Sequence, residues 1–140
     1  VILKKLMMNK IIDKVALIHI NNNSVLSTLS KSKNKLYFPG GKRENNESDV
    51  ECLKREILEE LNVHILENTV KFFGSFEAQA DGHEPGVLVR MLCYFSDFSG
   101  TLKASNEVES FEWIKYEDRY RTSAVDILIL EELKKQHLID

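Results

Sequence analysis

Cysteine is scarce in this chain. Its two thiols among 140 residues, Cys52 and Cys93, lie far apart and form no C-x-x-C pair, which leaves zinc-ribbon and dithiol redox chemistry without their ligands. Both read as small apolar core residues, and reduced thiols suit a cytoplasmic protein. Long hydrophobic runs are missing too. No stretch approaches the ~20 apolar residues of a membrane-crossing helix, so no membrane partner is expected. A large excess of one charge is also absent: 19 basic against 22 acidic residues leave a formal net charge of −3. That balance lacks the basic footprint of a duplex nucleic-acid binder. It is compatible with a small phosphorylated substrate, because a metal ion can bring the positive charge. There is no internal repeat and no low-complexity segment. The opening Val1-Ile2-Leu3-Lys4-Lys5-Leu6-Met7-Met8 is too short and too interrupted for a secretory signal. It is expected to be a tag remnant or start-site artefact ahead of a natural beginning at Met7 or Met8, which mass spectrometry of native protein would check.

What is present suits one domain. With 43% hydrophobic and 29% charged residues, a chain of this length buries about two thirds of the surface its unfolded form exposes. It needs no disulfide or structural metal to fold. A single domain over residues 1–140 is expected, with 1–10 as a loosely ordered extension.

Lys14–Ile20 reads as a buried strand. Asn21-Asn22-Asn23-Ser24 supplies turn chemistry, and Val25–Leu29 returns as the second arm of a hairpin. Leu36-Tyr37-Phe38 starts a short strand that Pro39-Gly40-Gly41 ends. From Ser48 the period becomes helical, with Val50, Leu53, Ile57 and Leu61 on one stripe, a capping box at Ser48-x-x-Glu51, and Asn62 as a left-handed cap. Val70–Ala80 is expected to place Phe72, Gly74, Phe76 and Ala78 on one side. Val87–Phe98 alternates Val87, Val89, Met91, Cys93 and Phe95 against Leu88, Arg90, Leu92 and Tyr94. Val108–Ile114 makes a further strand. A second helix runs from about Ala124 to His137, capped by Ser123 with Asp126 in the capping-box position, and carries a Val125, Leu128, Ile129 and Leu133 stripe. The order of elements gives an α/β class, a mixed sheet held between helices.

The chemistry concentrates between Gly40 and Val63. Glu56, Glu59 and Glu60 share one side of the first helix, where like charges at i, i+3 and i+4 repel. Cations would relieve that repulsion. Carboxylate oxygens with no nearby Cys or helix-borne His favour Mg²⁺ or Mn²⁺ over Zn²⁺. The plain alternative is a solvated face stitched by Glu51–Arg55 and Arg55–Glu59 pairs. Gly40-Gly41 permits a close backbone approach, and the Gly41 carbonyl could face a metal.

The spacing Gly41-x5-Glu47-x7-Arg55-Glu56-Ile57-x-Glu59-Glu60-x-Asn62-Val63 resembles the Nudix box, G-x5-E-x7-R-E-U-x-E-E-x-G-U, in which U is a bulky apolar residue. Eight of the nine specified positions match, and the departure is Asn62 where the family has Gly. The preceding Phe38-Pro39-Gly40 resembles the family's lead-in. This resemblance implies a Nudix-type α/β/α sandwich and a Mg²⁺-dependent attack of water on a nucleoside diphosphate linked to another group, with Mn²⁺ as a substitute. It assigns Glu56, Glu59, Glu60 and the Gly41 carbonyl to metal, Arg55 to orienting the glutamates, and Glu47 to steadying loop and helix. It points to Glu107 as a downstream acid near the metal, with Glu109 and Glu112 as rivals. The compact size favours a MutT-like nucleotide pyrophosphatase, and many small relatives pair as homodimers.

Outside the box, four residues are candidates for substrate contact, each with a plainer alternative. Phe38 either flanks a base or fills the core. Arg90, among apolar neighbours, needs a carboxylate, a phosphate or solvent. His83 lies in a turn-rich loop that could border the substrate. Asp126 could hydrogen-bond a base or merely cap its helix. The rival from another class is a catalytically weak Nudix-fold nucleotide sensor, which the presence of all three glutamates disfavours. Processing of capped RNA is disfavoured by the acidic balance.

Overall fold

The computed structural model describes residues 10–140. The expectations for the opening segment therefore fall outside the described residues, except that the Lys10 carbonyl accepts from the Leu88 N–H at 3.1 Å. The strands are β1 (Ile11–Ile18), β2 (Ile20–Asn21), β3 (Ser24–Ser30), β4 (Leu36–Tyr37), β5 (Gly40–Lys42), β6 (His64–Ile65), β7 (Lys71–Gln79), β8 (Leu88–Phe95), β9 (Phe98–Ser99) and β10 (Val108–Ile114). The helices are α1 (Asp49–Leu61) and α2 (Ala124–Lys135), with 3₁₀ turns at Glu67–Thr69 and Tyr116–Arg121.

A mixed four-stranded sheet, ordered β5-β1-β8-β7, positions the site. β1 and β8 run parallel, with Lys14 beside Met91 and Ala16 beside Cys93. An antiparallel sheet, β10-β3-β2, carries β4 on the side of β3. Strand alternation sends β1 residues to two cores. Val15 and Leu17 pack with Leu53, Ile57 and Leu61 of α1, while Ala16 and Ile18 pack with Ile129, Leu130 and Leu133 of α2. The mixed sheet thus lies between the two helices, as the sequence pattern implies.

Where element boundaries depart from expectation, local packing explains why. β4 ends at Tyr37 ahead of Pro39 as expected, but Gly40-Gly41 also opens a strand of its own, since Gly40 and Gly41 pair with Ala16 and Val15 of β1. Gly40 sits at φ 142°, and a Cβ there would stand 2.0 Å from the Val15 carbonyl oxygen, a spacing only glycine tolerates. A bulge between Phe72 and Gly74 splits the expected β7 face. Phe72 turns to Tyr94 and stays 53% exposed, while Gly74, Phe76 and Ala78 follow the Cys93, Met91 and Val89 register. The long strand expected to reach Phe98 breaks after Phe95, and Phe98 pairs with Ile65 instead. On α2, Leu130 is buried and Leu128 is 40% exposed, so the stripe turns one position from the expected one. Ser123 makes no side-chain capping bond. Asp126 therefore does not cap: it is 1% exposed and faces the core.

Candidate active site

The helix that carries the glutamates starts and stops as its sequence dictates. Ser48 accepts from the Glu51 N–H at 3.2 Å, and the Glu51 carboxylate accepts from the Ser48 N–H at 2.9 Å, a reciprocal capping box. Asn62 closes the helix at φ 58°, ψ 32°, the left-handed conformation that Asn tolerates nearly as well as Gly. The apolar stripe fixes the rotation of α1, so Glu56 and Glu60 face β5.

Arg55 is gripped from several sides. Its Nε and Nη2 donate to the two oxygens of Glu47 at 2.6 and 2.9 Å, its Nη1 donates to Glu56 at 2.9 Å, and its Nη2 reaches the Lys42 carbonyl at 3.1 Å. Such bidentate, charge-assisted bonds fix geometry as well as add energy. Hydrogen bonding to Arg55 holds the Glu47 carboxyl down at about 2, and the same bonds raise the Arg55 guanidinium above its usual range. Glu47 also accepts from the Glu44 N–H at 2.9 Å, so it ties the loop to the helix as expected. Arg43, bridging Asp13 and Asp49, with the Tyr94 hydroxyl donating to Asp49, braces the loop's other side.

Glu60 accepts from the Gly40 N–H at 3.1 Å. Burial, reinforced by the neighbouring Glu56 charge, pushes its carboxyl up to about 8. Burial also raises Glu56, with Arg55 opposing the shift. Gly41 lacks the side chain that would occupy this space: a Cβ there would lie 2.5 Å from Glu56 Cδ. Glu59 is half exposed, with an oxygen 3.6 Å from Arg55 Nη1. Among the described residues, no three His, Cys, Asp or Glu side chains converge as a finished metal cage. The donor chemistry nevertheless fits a hard divalent cation. Two crowded, partly desolvated carboxylates lie against a glycine strand, oxygen donors of the kind such a cation takes. The Gly41 carbonyl stands 3.7 Å from Cys52 Sγ.

The segment bearing Glu107 docks on the end of α1. The Ser105 N–H donates to the Glu60 carbonyl and the Asn106 Nδ2 to the Glu59 carbonyl, both at 2.9 Å. Glu107 itself is exposed, its carbonyl accepting from the Lys31 N–H. Of its rivals, Glu112 is paired with Arg121 at 2.8 Å, and Glu109 is exposed.

The four candidates for substrate contact are not all together. Arg90 pairs with Glu77 at 2.8 Å, and its strand position places it on the α1 side of the sheet with Asp13. Phe38 and Asp126 lie on the α2 side. Phe38 is buried in the core of that face. Asp126 makes no hydrogen bond of good geometry; burial lifts its carboxyl to about 7, with weak hydrogen bonding from the Phe38 N–H and the Ser123 hydroxyl pulling the other way. His83 stands exposed in the β7–β8 loop, which the Gln79 side chain organises through the His83 and Glu84 carbonyls and the Gly86 N–H. Asp81 ties this loop to β4 by accepting from Tyr37 at 2.6 Å and Lys35 at 2.8 Å. The sequence reading missed Lys14, whose ammonium is lowered by burial and lies within electrostatic reach of both Asp126 and Glu60. A lysine next to Asp13 in a strand that is apolar at its other positions was the available signal.

An arginine-clamped glutamate helix set against a glycine strand, in an α/β/α sandwich, defines a class of phosphoanhydride-cleaving enzymes. The NUDIX domain model matches residues 12–132, and the chain belongs to the Nudix family of hydrolases, whose general reaction is hydrolysis of a pyrophosphate bond in nucleoside derivatives. Among solved structures, the chain resembles the E. coli ORF135 protein (28% identity, TM-score 0.70, 91% of this chain and 93% of that one). It also resembles the MutT NUDIX hydrolase of Burkholderia pseudomallei (18% identity, TM-score 0.73, 89% and 98%). A third likeness is to a bifunctional NMN adenylyltransferase/ADP ribose pyrophosphatase of Francisella tularensis, solved with AMP and a Mn ion (17% identity, TM-score 0.67, 96% and 45%). No curated protein matches the chain.

Proposed function

We propose that the chain is a MutT-like, Mg²⁺-dependent pyrophosphohydrolase that cleaves a nucleoside di- or triphosphate or a related nucleoside diphosphate derivative, with Mn²⁺ as a substitute. The observation that carries this reading is the pairing of half-buried Glu56 and Glu60 against Gly40-Gly41 beneath the Arg55–Glu47 clamp. Glu56, Glu59, Glu60 and the Gly41 carbonyl would hold the metal. Bound there, the metal would neutralise phosphate oxygens and acidify water. Arg55 orients Glu56 and opposes the upward push that burial gives its carboxyl. Gly40 fixes one Glu60 oxygen by its N–H. Glu107, carried on the loop docked to α1, would accept a proton from water or add a further oxygen ligand.

On the other side of the sheet, Asp126 and Phe38 would receive the base, with the His83 loop at the rim. Arg90 is assigned to an incoming phosphate only if its Glu77 partner releases it. The same reading makes the protein a cytoplasmic single-domain enzyme acting on small molecules, without duplex nucleic acid, and leaves a homodimer to be tested by sedimentation. No helix among the described residues is long and apolar enough to cross a membrane. The test is phosphate and pyrophosphate release from nucleoside triphosphates, ADP-ribose and dinucleotides, with Mg²⁺, Mn²⁺ or chelator. Metal-dependent release supports the proposal. Nucleotide binding without release in any metal overturns it in favour of a sensor.

A further inference from the structure

We propose that the cleft between the Lys115–Arg119 segment and the last turn of α2 is a second ligand site, and that it takes a ribose 5-phosphate group, free or within a nucleoside monophosphate. This goes beyond the hydrolase reading and does not rest on it.

Lys115, Tyr116, Glu117, Arg119, Lys134 and Asp140 line a cleft of about 360 Å³, toward the lower end of the range for small-molecule sites. None of them belongs to the acidic centre or to the candidates for substrate contact. Lys134 stands roughly two turns of α2, about 12 Å, beyond Asp126. Backbone bonds hold the walls together. The Tyr116 N–H donates to the Asp140 carbonyl at 2.8 Å, the Asp140 N–H to the Asn23 carbonyl at 2.9 Å, and the Lys115 N–H to the Asp118 carboxylate at 2.9 Å.

Arg119 is the group that marks the cleft. Among the described residues, Arg43, Arg55, Arg90 and Arg121 each have an acidic partner, and Arg119 has none. Its guanidinium lies between two rings instead, with Cζ 4.1 Å from the Tyr116 centroid and 4.4 Å from that of Tyr120. Nη1 donates to the Tyr116 carbonyl at 3.1 Å and Nη2 to the Tyr120 hydroxyl at 3.2 Å. A guanidinium stacked and tethered in this way is oriented before any anion arrives. Its remaining N–H groups suit a phosphate. Lys115 and Lys134 also lack a carboxylate within salt-bridge distance among the described residues, whereas Lys35 and Lys54 have one.

Glu117 and Asp140 share the cleft without pairing to these cations. Ionised carboxylates only accept hydrogen bonds, so they call for donors where the cations call for acceptors. Inorganic phosphate answers the cations and sets its charge against the carboxylates. A pentose phosphate answers both. Its phosphate oxygens meet Arg119, Lys115 and Lys134, and its vicinal hydroxyls donate to Glu117 or Asp140, as a ribose hydroxyl does to a carboxylate in dinucleotide sites. The Tyr116 ring supplies an apolar wall.

The test is an NMR titration of the isotope-labelled full chain with ribose 5-phosphate, inorganic phosphate, ribose and AMP, at low salt without divalent metal. Ribose 5-phosphate is expected to shift the amides of Tyr116, Glu117, Arg119, Lys134 and Asp140. It should bind at least ~10-fold more tightly than phosphate or ribose, since a site built to bond a group rejects analogues lacking it. Arg119→Met should weaken binding at least ~10-fold, the scale of a lost hydrogen bond to a charged group. Lys134→Met, at an exposed position, should weaken it about threefold and carries the test if Arg119→Met does not fold. AMP binding at the same amides with equal or greater affinity supports the site and names a nucleotide as the source. Tighter binding of ribose 5-phosphate supports it and names the free sugar phosphate. No shift at these amides with millimolar ribose 5-phosphate, shifts confined to the surroundings of Glu60, equal affinity for phosphate, or undiminished binding in the folded variants would each overturn the inference.

Discussion

Glu60 holds the site's conflict in one side chain: a carboxylate that burial and Glu56 push toward neutrality, anchored by a single Gly40 N–H. Gly41 makes room for the second carboxylate. Gly41→Ala would force Glu56 aside, because its Cβ would meet the carboxyl group at 2.5 Å. A loss of at least ~10-fold in kcat is expected, by analogy with disturbing a metal's supporting shell, while the β5–β1 pairing survives in the circular dichroism spectrum. Asp126 gives a second residue-scale prediction. Its folded carboxyl titrates near 7, above an unfolded value of about 3.9, so between these pH values the folded state binds the extra proton. Stability should fall as pH rises from about 4 to 7 and level off above, by up to roughly 4 kcal/mol from this group. Asp126→Asn should flatten that part of the profile in urea melts taken across the range.

At the scale of elements, α1 is where sequence and structure agree most closely. Its caps are local chemistry: Ser48 and Glu51 bond each other, and Asn62 takes the left-handed turn. Ser48→Ala should therefore cost about 1 kcal/mol in chemical denaturation, and Asn62→Gly should leave both stability and activity nearly unchanged. The glutamates were legible because the box spacing and the helical period reinforce each other. What was not legible depends on contacts between elements distant in sequence. β5 looked like a stop because Pro39-Gly40-Gly41 is turn chemistry, and only the approach of β1 makes it a strand. The bulge between Phe72 and Gly74 reverses one aromatic face, and the strand glycine beside it was the only local hint. Asp126 fitted a capping box by spacing, yet Ser123 forms no cap and α2 turns the carboxylate inward. Of the three partners open to Arg90, a carboxylate, a phosphate or solvent, the β7–β8 pairing supplies the carboxylate, Glu77, across the strand.

On the scale of the molecule, the mixed sheet separates two faces. Its α1 face and β5 edge carry the acidic cluster of Glu56 and Glu60, and its α2 face carries Lys14, Asp126 and the buried Phe38. The central claim is that Glu56 and Glu60 serve metal-dependent cleavage rather than the fold. The most direct test measures metal-dependent turnover of a nucleoside triphosphate by Glu60→Gln beside its thermal midpoint. The account predicts a fall of at least ~100-fold in kcat, the scale on which electrostatic groups at reacting centres matter, with the midpoint unchanged or raised because a crowded buried carboxylate has gone. Near wild-type turnover in the folded variant would contradict it.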